Sequence, residues 1–220
     1  MASLILADDA SKQLAQTDRL LTVSLIDRSS SMSFRSKDDH VKTRRDLILV
    51  AHNAFVEELK KHPLVHQLRF VRSFFHGRID ANVRVKRMKE VDPLTMEEYR
   101  LGPGTALYDA IGATLDGIEH ILSVKPNYKY VHVIILSDGE ENASRKWSAS
   151  EIRTRIEEKR ALGWRIEFFG MSEESLQQAQ DIGIPAHQTQ RWEPTVEGST
   201  SLSENMTHSV VGMIGRKPTT

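Results

Sequence analysis

The sequence predicts a three-layer α/β/α, doubly wound fold whose sheet is mostly parallel and carries one antiparallel edge strand. Strand-type and helix-type patterns alternate along the chain, an order typical of parallel sheets covered by helices. Residues 131–136 are the most apolar run in the chain, with His132 as their one polar member, as expected of a central strand buried on both faces. Residues 83–86 alternate apolar with basic side chains, which favours an exposed edge strand paired antiparallel to its neighbour.

The first half of the chain is predicted to contain two strands and one helix before that edge strand. Residues 1–18 are weakly patterned and are interpreted as an N-terminal extension with a short helix. Residues 20–26 predict the first strand. A helix is expected from near Asp39 to His62-Pro63, with apolar residues four apart from Leu47 to Leu59. Residues 68–75, rich in aromatic and β-branched side chains, predict the next strand.

The second half alternates helices with strands. Gly102-Pro103-Gly104-Thr105 opens a helix that ends at Pro126, and the strand at 131–136 follows. Ser148 and Glu151 have the spacing of a capping box, which predicts a helix ending at Gly163. Further elements are expected as a strand at 165–171, a helix at 172–182, a short strand at 185–188 and a helix at 203–214. We therefore predict one domain over residues 19–216, followed by a tail at 217–220.

Composition describes an ordinary globular protein and excludes several classes. Of 220 residues, 39% are hydrophobic and 27% are charged. Thirty basic and thirty acidic residues cancel, so no global field attracts nucleic acid or an anionic membrane. The absence of cysteine excludes a disulfide scaffold and a thiolate zinc site. The N-terminus lacks the basic region and apolar core of a signal peptide, so we expect a cytoplasmic protein that does not contact membranes.

Three loops are predicted to meet at the carboxyl edge of the sheet, where ligands bind in open α/β folds. Asp27-Arg28-Ser29-Ser30-Ser31 follows the first strand, Gly104-Thr105 precedes a helix, and Ser137-Asp138-Gly139 follows the central strand. They supply carboxylate and hydroxyl oxygens, the donors that hard divalent cations prefer. In isolation, the first of these loops could equally be a polar turn or a helix cap.

The three loops, in this order, resemble the metal-ion-dependent adhesion site of von Willebrand factor A domains. Asp27, Ser29 and Ser31 match the family's Asp-x-Ser-x-Ser motif, Thr105 matches its threonine, and Asp138 matches its final aspartate. The similarity extends over roughly residues 19–216. The residues that flank the motifs look closer to those of stand-alone bacterial or phage members than to those of animal adhesion receptors. The resemblance implies the same three-layer fold and a metal site formed by these five residues.

The resemblance also implies a function that is not enzymatic. We expect a divalent cation, Mg²⁺ first and Mn²⁺ or Ca²⁺ as alternatives, whose open coordination position accepts an acidic residue of a partner protein. Asp109, one helical turn after Thr105, is expected to orient a ligand or a coordinated water, and Glu140 and Glu141 are expected to form a solvated rim that biases partner choice. The alternative function is a structural or assembly component of a virion or a multi-protein complex.

Hydrolysis of a phosphate or ester is not favoured. Ser29 takes the place of the second aspartate of an Asp-x-Asp phosphatase loop, and no nucleophile elbow or phosphate-binding glycine-rich loop with lysine is present.

Three features outside the motif leave alternatives open. Arg84, Lys86, Arg87 and Lys89 could contact phosphate, although a charged edge strand is the favoured interpretation. His132, within the central strand, is expected to be a packed, hydrogen-bonded core residue. Trp192 is either an exposed interface residue or packed against the last helix.

Overall fold

The computed structural model describes residues 19–36, 41–80, 84–138 and 141–214. A six-stranded sheet has the order β3-β2-β1-β4-β5-β6. Its strands are β1 (Arg19–Asp27), β2 (Leu68–Phe75), β3 (Lys86–Arg87), β4 (Tyr128–Leu136), β5 (Arg165–Gly170) and β6 (Thr189–Arg191). All pairings are parallel except that of β2 with β3. The predicted fold class, a mostly parallel sheet with one antiparallel edge strand, is confirmed.

Within these described ranges, five α-helices cover the two faces of the sheet. They are α1 (Arg44–Lys61), α2 (Leu107–Val124), α3 (Ala149–Ala161), α4 (Glu173–Asp181) and α5 (Val196–Val211). Apolar side chains of α1 and α5 pack on one face, against a cluster that includes Ile26, Phe70 and Phe169. Those of α2, α3 and α4 pack on the other face, against a cluster that includes Val23 and Ile135. The sheet is therefore the middle of three layers.

Local sequence determines where several helices begin. Thr43, Ser148 and Ser172 each cap a helix, and each forms a reciprocal capping box with the residue three positions later. Each box satisfies two backbone amides that the helix itself leaves unpaired. The structure thus starts α1 at Arg44, later than the predicted start near Asp39, which lies outside the described residues.

The predicted edge strand is present but shifted. Lys86 and Arg87 pair with Phe70 and Arg69, whereas Val83 lies outside the described residues. Lys86 binds Asp92, with 2.6 Å between Nζ and Oδ2, so one charge of the predicted basic set is paired on the protein's own surface.

Two expectations near the C-terminus were wrong in position. Residues 186–188 form a 3₁₀ turn, and the strand follows at Thr189–Arg191, because Pro185 has no N–H to donate to a ladder. Helix α5 begins at Val196, earlier than the predicted 203, because the Thr195 side chain accepts a hydrogen bond from Gly198 N at 2.9 Å. The proposed extension at 1–18 and tail at 217–220 lie outside the described residues.

His132 and Trp192 are both buried. His132 Nε2 lies 2.8 Å from Glu167 Oε2, which confirms the expected hydrogen-bonded core histidine. Trp192 belongs to the same apolar cluster as Leu202 and Met206 of α5, so the packed alternative holds.

Within the described residues, no helix combines the length and the apolar character needed to cross a bilayer.

Candidate metal centre

The predicted loops lie together where β1 and β4 end. Gly102 forms a parallel bridge with Ser29, and Gly102 N donates to Arg28 O at 2.9 Å. Thr105 O accepts from Asn142 N at 3.0 Å, which joins the loop before α2 to the loop after β4. The parallel order of the strands thus gathers segments that are 37 to 74 residues apart in sequence.

Asp27 is buried at the end of β1 and is held from both sides. Its Oδ1 accepts from Ser29 N at 2.7 Å, and its Oδ2 accepts from Ser137 Oγ at 2.6 Å. The carbonyl of Asp27 accepts from the hydroxyl of Tyr99 at 2.6 Å. These bonds fix the carboxylate at the edge of the sheet between the first and third loops.

Ser29 and Ser31 present their hydroxyls side by side. Their Oγ atoms are 2.9 Å apart, across a 3₁₀ turn formed by Ser30–Ser33. Met32 in the same turn is fully buried and anchors the loop to the core. The two hydroxyls therefore have a fixed separation in a loop that is packed against the protein.

Thr105 is positioned by an unusual backbone. Gly104 has a φ of +73°, in the left-handed region that glycine adopts without strain. A Cβ on Gly104 would come within 3.1 Å of Ala143 Cβ. Thr105 is itself buried, and its N–H donates to Asn142 Oδ1 at 2.9 Å. The glycine thus lets the chain turn tightly enough to place the threonine against the loop after β4.

Asp138 contacts a cationic side chain that sequence reasoning did not identify. Its Oδ2 accepts from Arg44 Nη1 at 3.3 Å, and the Arg44 guanidinium lies 5.2 Å from the centre of the Phe34 ring. The other oxygen, Oδ1, is buried and has no hydrogen-bond partner among the described residues. Asp138 therefore keeps acceptor capacity that the described protein groups do not use.

The electrostatics of the two aspartates suit a cation. Burial, and then the nearby charge of Asp138, raise the pKa of Asp27 to about 7. Among the described residues, no three His, Cys, Asp or Glu side chains come together as a metal-binding cluster. A divalent cation would offset both carboxylates and would take neutral hydroxyls as further ligands, so the residues present fit one. The assignment of Asp27, Ser29, Ser31, Thr105 and Asp138 as ligands stays a prediction.

Asp109 secures the loop that follows the site. Its Oδ2 accepts from Arg145 N, and its Oδ1 accepts from Lys146 N and Trp147 N, each at 2.9 Å. Both oxygens are thus engaged by backbone amides, and the expected role of Asp109 in orienting a ligand or a coordinated water stays a prediction. Asp109 connects the first turn of α2 to the segment between β4 and α3.

Glu141 secures the same loop. Its carboxylate accepts from Tyr108 N at 3.0 Å, from Ala143 N at 2.9 Å and from Ser144 N at 2.8 Å. The side chain is half-buried and organises the same loop. Glu140 lies outside the described residues, so a partner-binding role for either glutamate stays a prediction.

Four residues that organise the site were not singled out from the sequence: Arg44, Tyr99, Ser137 and Asn142. A weak signal existed for Arg44, because arginine in the first turn of a helix is unfavourable next to the helix dipole and suggests a tertiary partner. Tyr99 lies in a polar connector that has no pattern, and no local signal points to Asp27.

Sequence comparison finds no match to a model of any protein family and none to a curated protein. Comparison of structures finds clear similarity. The PilB minor pilin from Streptococcus sanguinis matches 90% of this chain with a TM-score of 0.66 at 10% identity, over 62% of its own length. An aerotolerance-related membrane protein from Bacteroides fragilis matches 89% of this chain and all of its own, with a TM-score of 0.58 at 12% identity.

A third similar structure is described with a metal in its own adhesion-site motif. It is proximal thread matrix protein 1 from the mussel byssus, described with a zinc-occupied MIDAS motif, where MIDAS denotes the metal-ion-dependent adhesion site. It covers 88% of this chain and 48% of its own, with a TM-score of 0.59 at 13% identity. The chain has a von Willebrand factor A-like fold. It spans 30 to 62% of the length of the pilin and pilus adhesin structures that it resembles. At these identities, the likeness establishes the fold alone.

Proposed function

We propose that this von Willebrand factor A-like domain is a non-enzymatic, metal-dependent protein-interaction module. Asp27, Ser29, Ser31, Thr105 and Asp138 would hold a divalent cation. A bound cation supplies positive charge and a coordination position that an acidic residue of a partner can take. The observation that carries the proposal is the buried, unpartnered Oδ1 of Asp138 beside the second buried carboxylate of Asp27.

The hydroxyl geometry is compatible with Mg²⁺ as the cation. Adjacent ligands of an octahedral Mg²⁺ with bonds of 2.0–2.1 Å are about 2.9 Å apart. The Ser29 and Ser31 Oγ atoms, which share a hydrogen bond, are 2.9 Å apart, so both can reach one such ion without moving relative to each other. The zinc in the motif of the mussel matrix protein supports a divalent ion, and Mn²⁺ remains a second candidate on ligand chemistry.

The test combines cation binding with partner capture. Mg²⁺ is titrated calorimetrically into wild type and Asp138→Asn, and both proteins are then used to capture partners with Mg²⁺ or with EDTA. We expect Asp138→Asn to lose Mg²⁺ binding while remaining folded, because the substitution removes a buried charge and keeps the shape of the side chain. Partner capture should require both Mg²⁺ and Asp138.

Asp116→Asn is the matched control. Asp116 lies on the surface of α2, where it pairs with Arg155 at 2.6 Å between Oδ1 and Nη2. This variant should bind Mg²⁺ as wild type does. Unchanged Mg²⁺ affinity in Asp138→Asn would remove the metal site from the proposal, and EDTA-resistant capture would remove the metal bridge.

A structural or assembly role is the second candidate. Its support is that similar structures include a minor pilin and a byssus matrix protein. Assembly into an oligomer or particle that persists in EDTA and in Asp138→Asn would favour it over the metal-bridged module. Cytoplasmic or virion-associated location stays a prediction under either function.

A further inference from the structure

A cleft lies at the amino ends of the strands, at the end of the sheet away from the candidate metal centre. It has a volume of about 550 Å³ and is lined by Arg19, Arg69, Val85, Arg87, Glu90, Lys125, Pro126, Asn127 and Tyr128. Arg19 begins β1 and Asp27 ends it, so the two sites are roughly 26 Å apart at 3.3 Å per residue. The cleft is therefore independent of the residues proposed to hold the cation.

The lining of this cleft is strongly cationic. It contains Arg19, Arg69, Arg87 and Lys125 but only one carboxylate, that of Glu90. Glu90 approaches Arg87 at 3.8 Å, and both side chains are largely exposed. Among the described residues, no acidic side chain forms an ion pair with Arg19, Arg69 or Lys125. A neutral chain thus concentrates unbalanced positive charge in one concave site.

The fold holds these cations together against their mutual repulsion. Arg69 of β2 lies directly opposite Arg87 of β3 in the antiparallel ladder, an arrangement of like charges that destabilises a sheet. Burial, and then the charge of Arg19, lower the pKa of Arg69 from its usual value. An anion in the cleft would relieve this repulsion.

The Arg69 guanidinium is also oriented. Its Nη1 donates to His66 O at 2.8 Å and to Leu68 O at 2.9 Å. These bonds fix one corner of the planar group, and neither Nε nor Nη2 donates a hydrogen bond to the described residues. A guanidinium held in this way can bind a phosphate through two parallel hydrogen bonds.

We propose that this cleft binds a small anion carrying two or more phosphate groups, with Arg69 as its central ligand and Arg19, Arg87 and Lys125 around it. Its volume lies in the range of sites for nucleotide-sized ligands. Three more positive than negative side chains favour a multiply charged ligand over a single carboxylate. Arg87, which the sequence suggested as part of a charged edge, would instead serve this site.

The test uses the full chain and inorganic pyrophosphate, in EDTA so that no divalent ion bridges the two. Calorimetric titration should detect binding that weakens as salt is raised. Arg69→Gln should weaken pyrophosphate binding at least tenfold. The same variant without ligand should unfold at a temperature equal to or above that of wild type, because it removes repulsion.

Arg153→Gln is the matched control. Arg153 is an exposed arginine of α3 that pairs with Glu157 outside the cleft, so its replacement removes the same charge without touching the site. Pyrophosphate affinity should stay within about twofold of wild type. Absence of pyrophosphate binding by wild type, or equal weakening in both variants, would overturn the proposal.

A second experiment, with lipid vesicles, distinguishes a phosphate on a lipid head group from a free phosphate ligand. Vesicles of phosphatidylcholine with and without a phosphatidylinositol bisphosphate are sedimented with wild type and Arg69→Gln. Sedimentation that requires the bisphosphate lipid and Arg69 assigns a lipid head group, and pyrophosphate binding without sedimentation assigns a free phosphate ligand. Sedimentation with the bisphosphate lipid that is equal in the two proteins would contradict a central role for Arg69.

Discussion

Replacing Asp109 by alanine tests whether one carboxylate holds the loop that follows the candidate metal centre. Asp109 accepts three backbone hydrogen bonds, each of 2.9 Å, from residues 145–147. A hydrogen bond to a charged group contributes about 1.5–3 kcal/mol. The amides of Arg145 and Lys146 are exposed and would turn to water, whereas that of Trp147 is partly buried. We therefore expect a loss of about 2–4 kcal/mol in the free energy of unfolding.

Thermal unfolding measures this loss directly. For a chain of this size, each kcal/mol corresponds to about 2–4 °C, so the Tm should fall by roughly 4–16 °C. Mg²⁺ affinity should fall as well, because the loosened segment begins shortly after Asp138. Calorimetric titration of the variant with Mg²⁺ measures that second effect.

Asp116→Ala supplies the comparison, because it makes the same change on the same helix. Asp116 is itself half exposed and forms ion pairs with the exposed Lys146 and the mostly buried Arg155, and ion pairs at such a solvent-exposed carboxylate contribute about 1 kcal/mol or less. Equal Tm shifts in the Asp109 and Asp116 variants would refute the reasoning, since three fixed backbone bonds would then count no more than a surface ion pair.

Two further predictions concern charges near and far from the site. Arg44→Gln should tighten Mg²⁺ binding by roughly 3- to 10-fold, because it removes the positive charge that lies next to Asp138. Calorimetric titration measures the affinity, and weaker binding by the variant would mean that Arg44 supports the site. Burial favours a raised pKa in Glu167, but hydrogen bonds from His132, Ser209 and Arg165 outweigh it and lower the pKa to about 2 from the usual 4.5. This stabilisation is present above pH 4.5 and is lost as the pH falls toward 2, so the stability advantage of wild type over Glu167→Gln in urea unfolding should shrink between about pH 4.5 and pH 2.

Local patterns predicted most of the fold because the relevant forces act between residues that are near in sequence. The strand at Leu68–Phe75 and the helix after Ser148 follow from β-branched and aromatic runs and from a capping box. The sequence-based prediction missed the helix at residues 196–202, because serine, threonine and glycine there give the first turns of α5 no helical pattern. There, packing of Leu202 and neighbouring side chains against α1 outweighs weak helix propensity.

The sequence by itself determined the alternation of strands and helices and the five oxygen-bearing residues of the candidate site. It could do so because hydrophobic periodicity, helix-capping residues and motif spacing each depend on short stretches of chain. Only the tertiary structure decided how the charges are arranged. It brings Arg44 to Asp138 across 94 positions, sets the hydroxyl of Tyr99 on the carbonyl of Asp27, and opposes Arg69 with Arg87 at the other end of the sheet. Such contacts join segments far apart in the chain, and parallel strand order determines which of them meet.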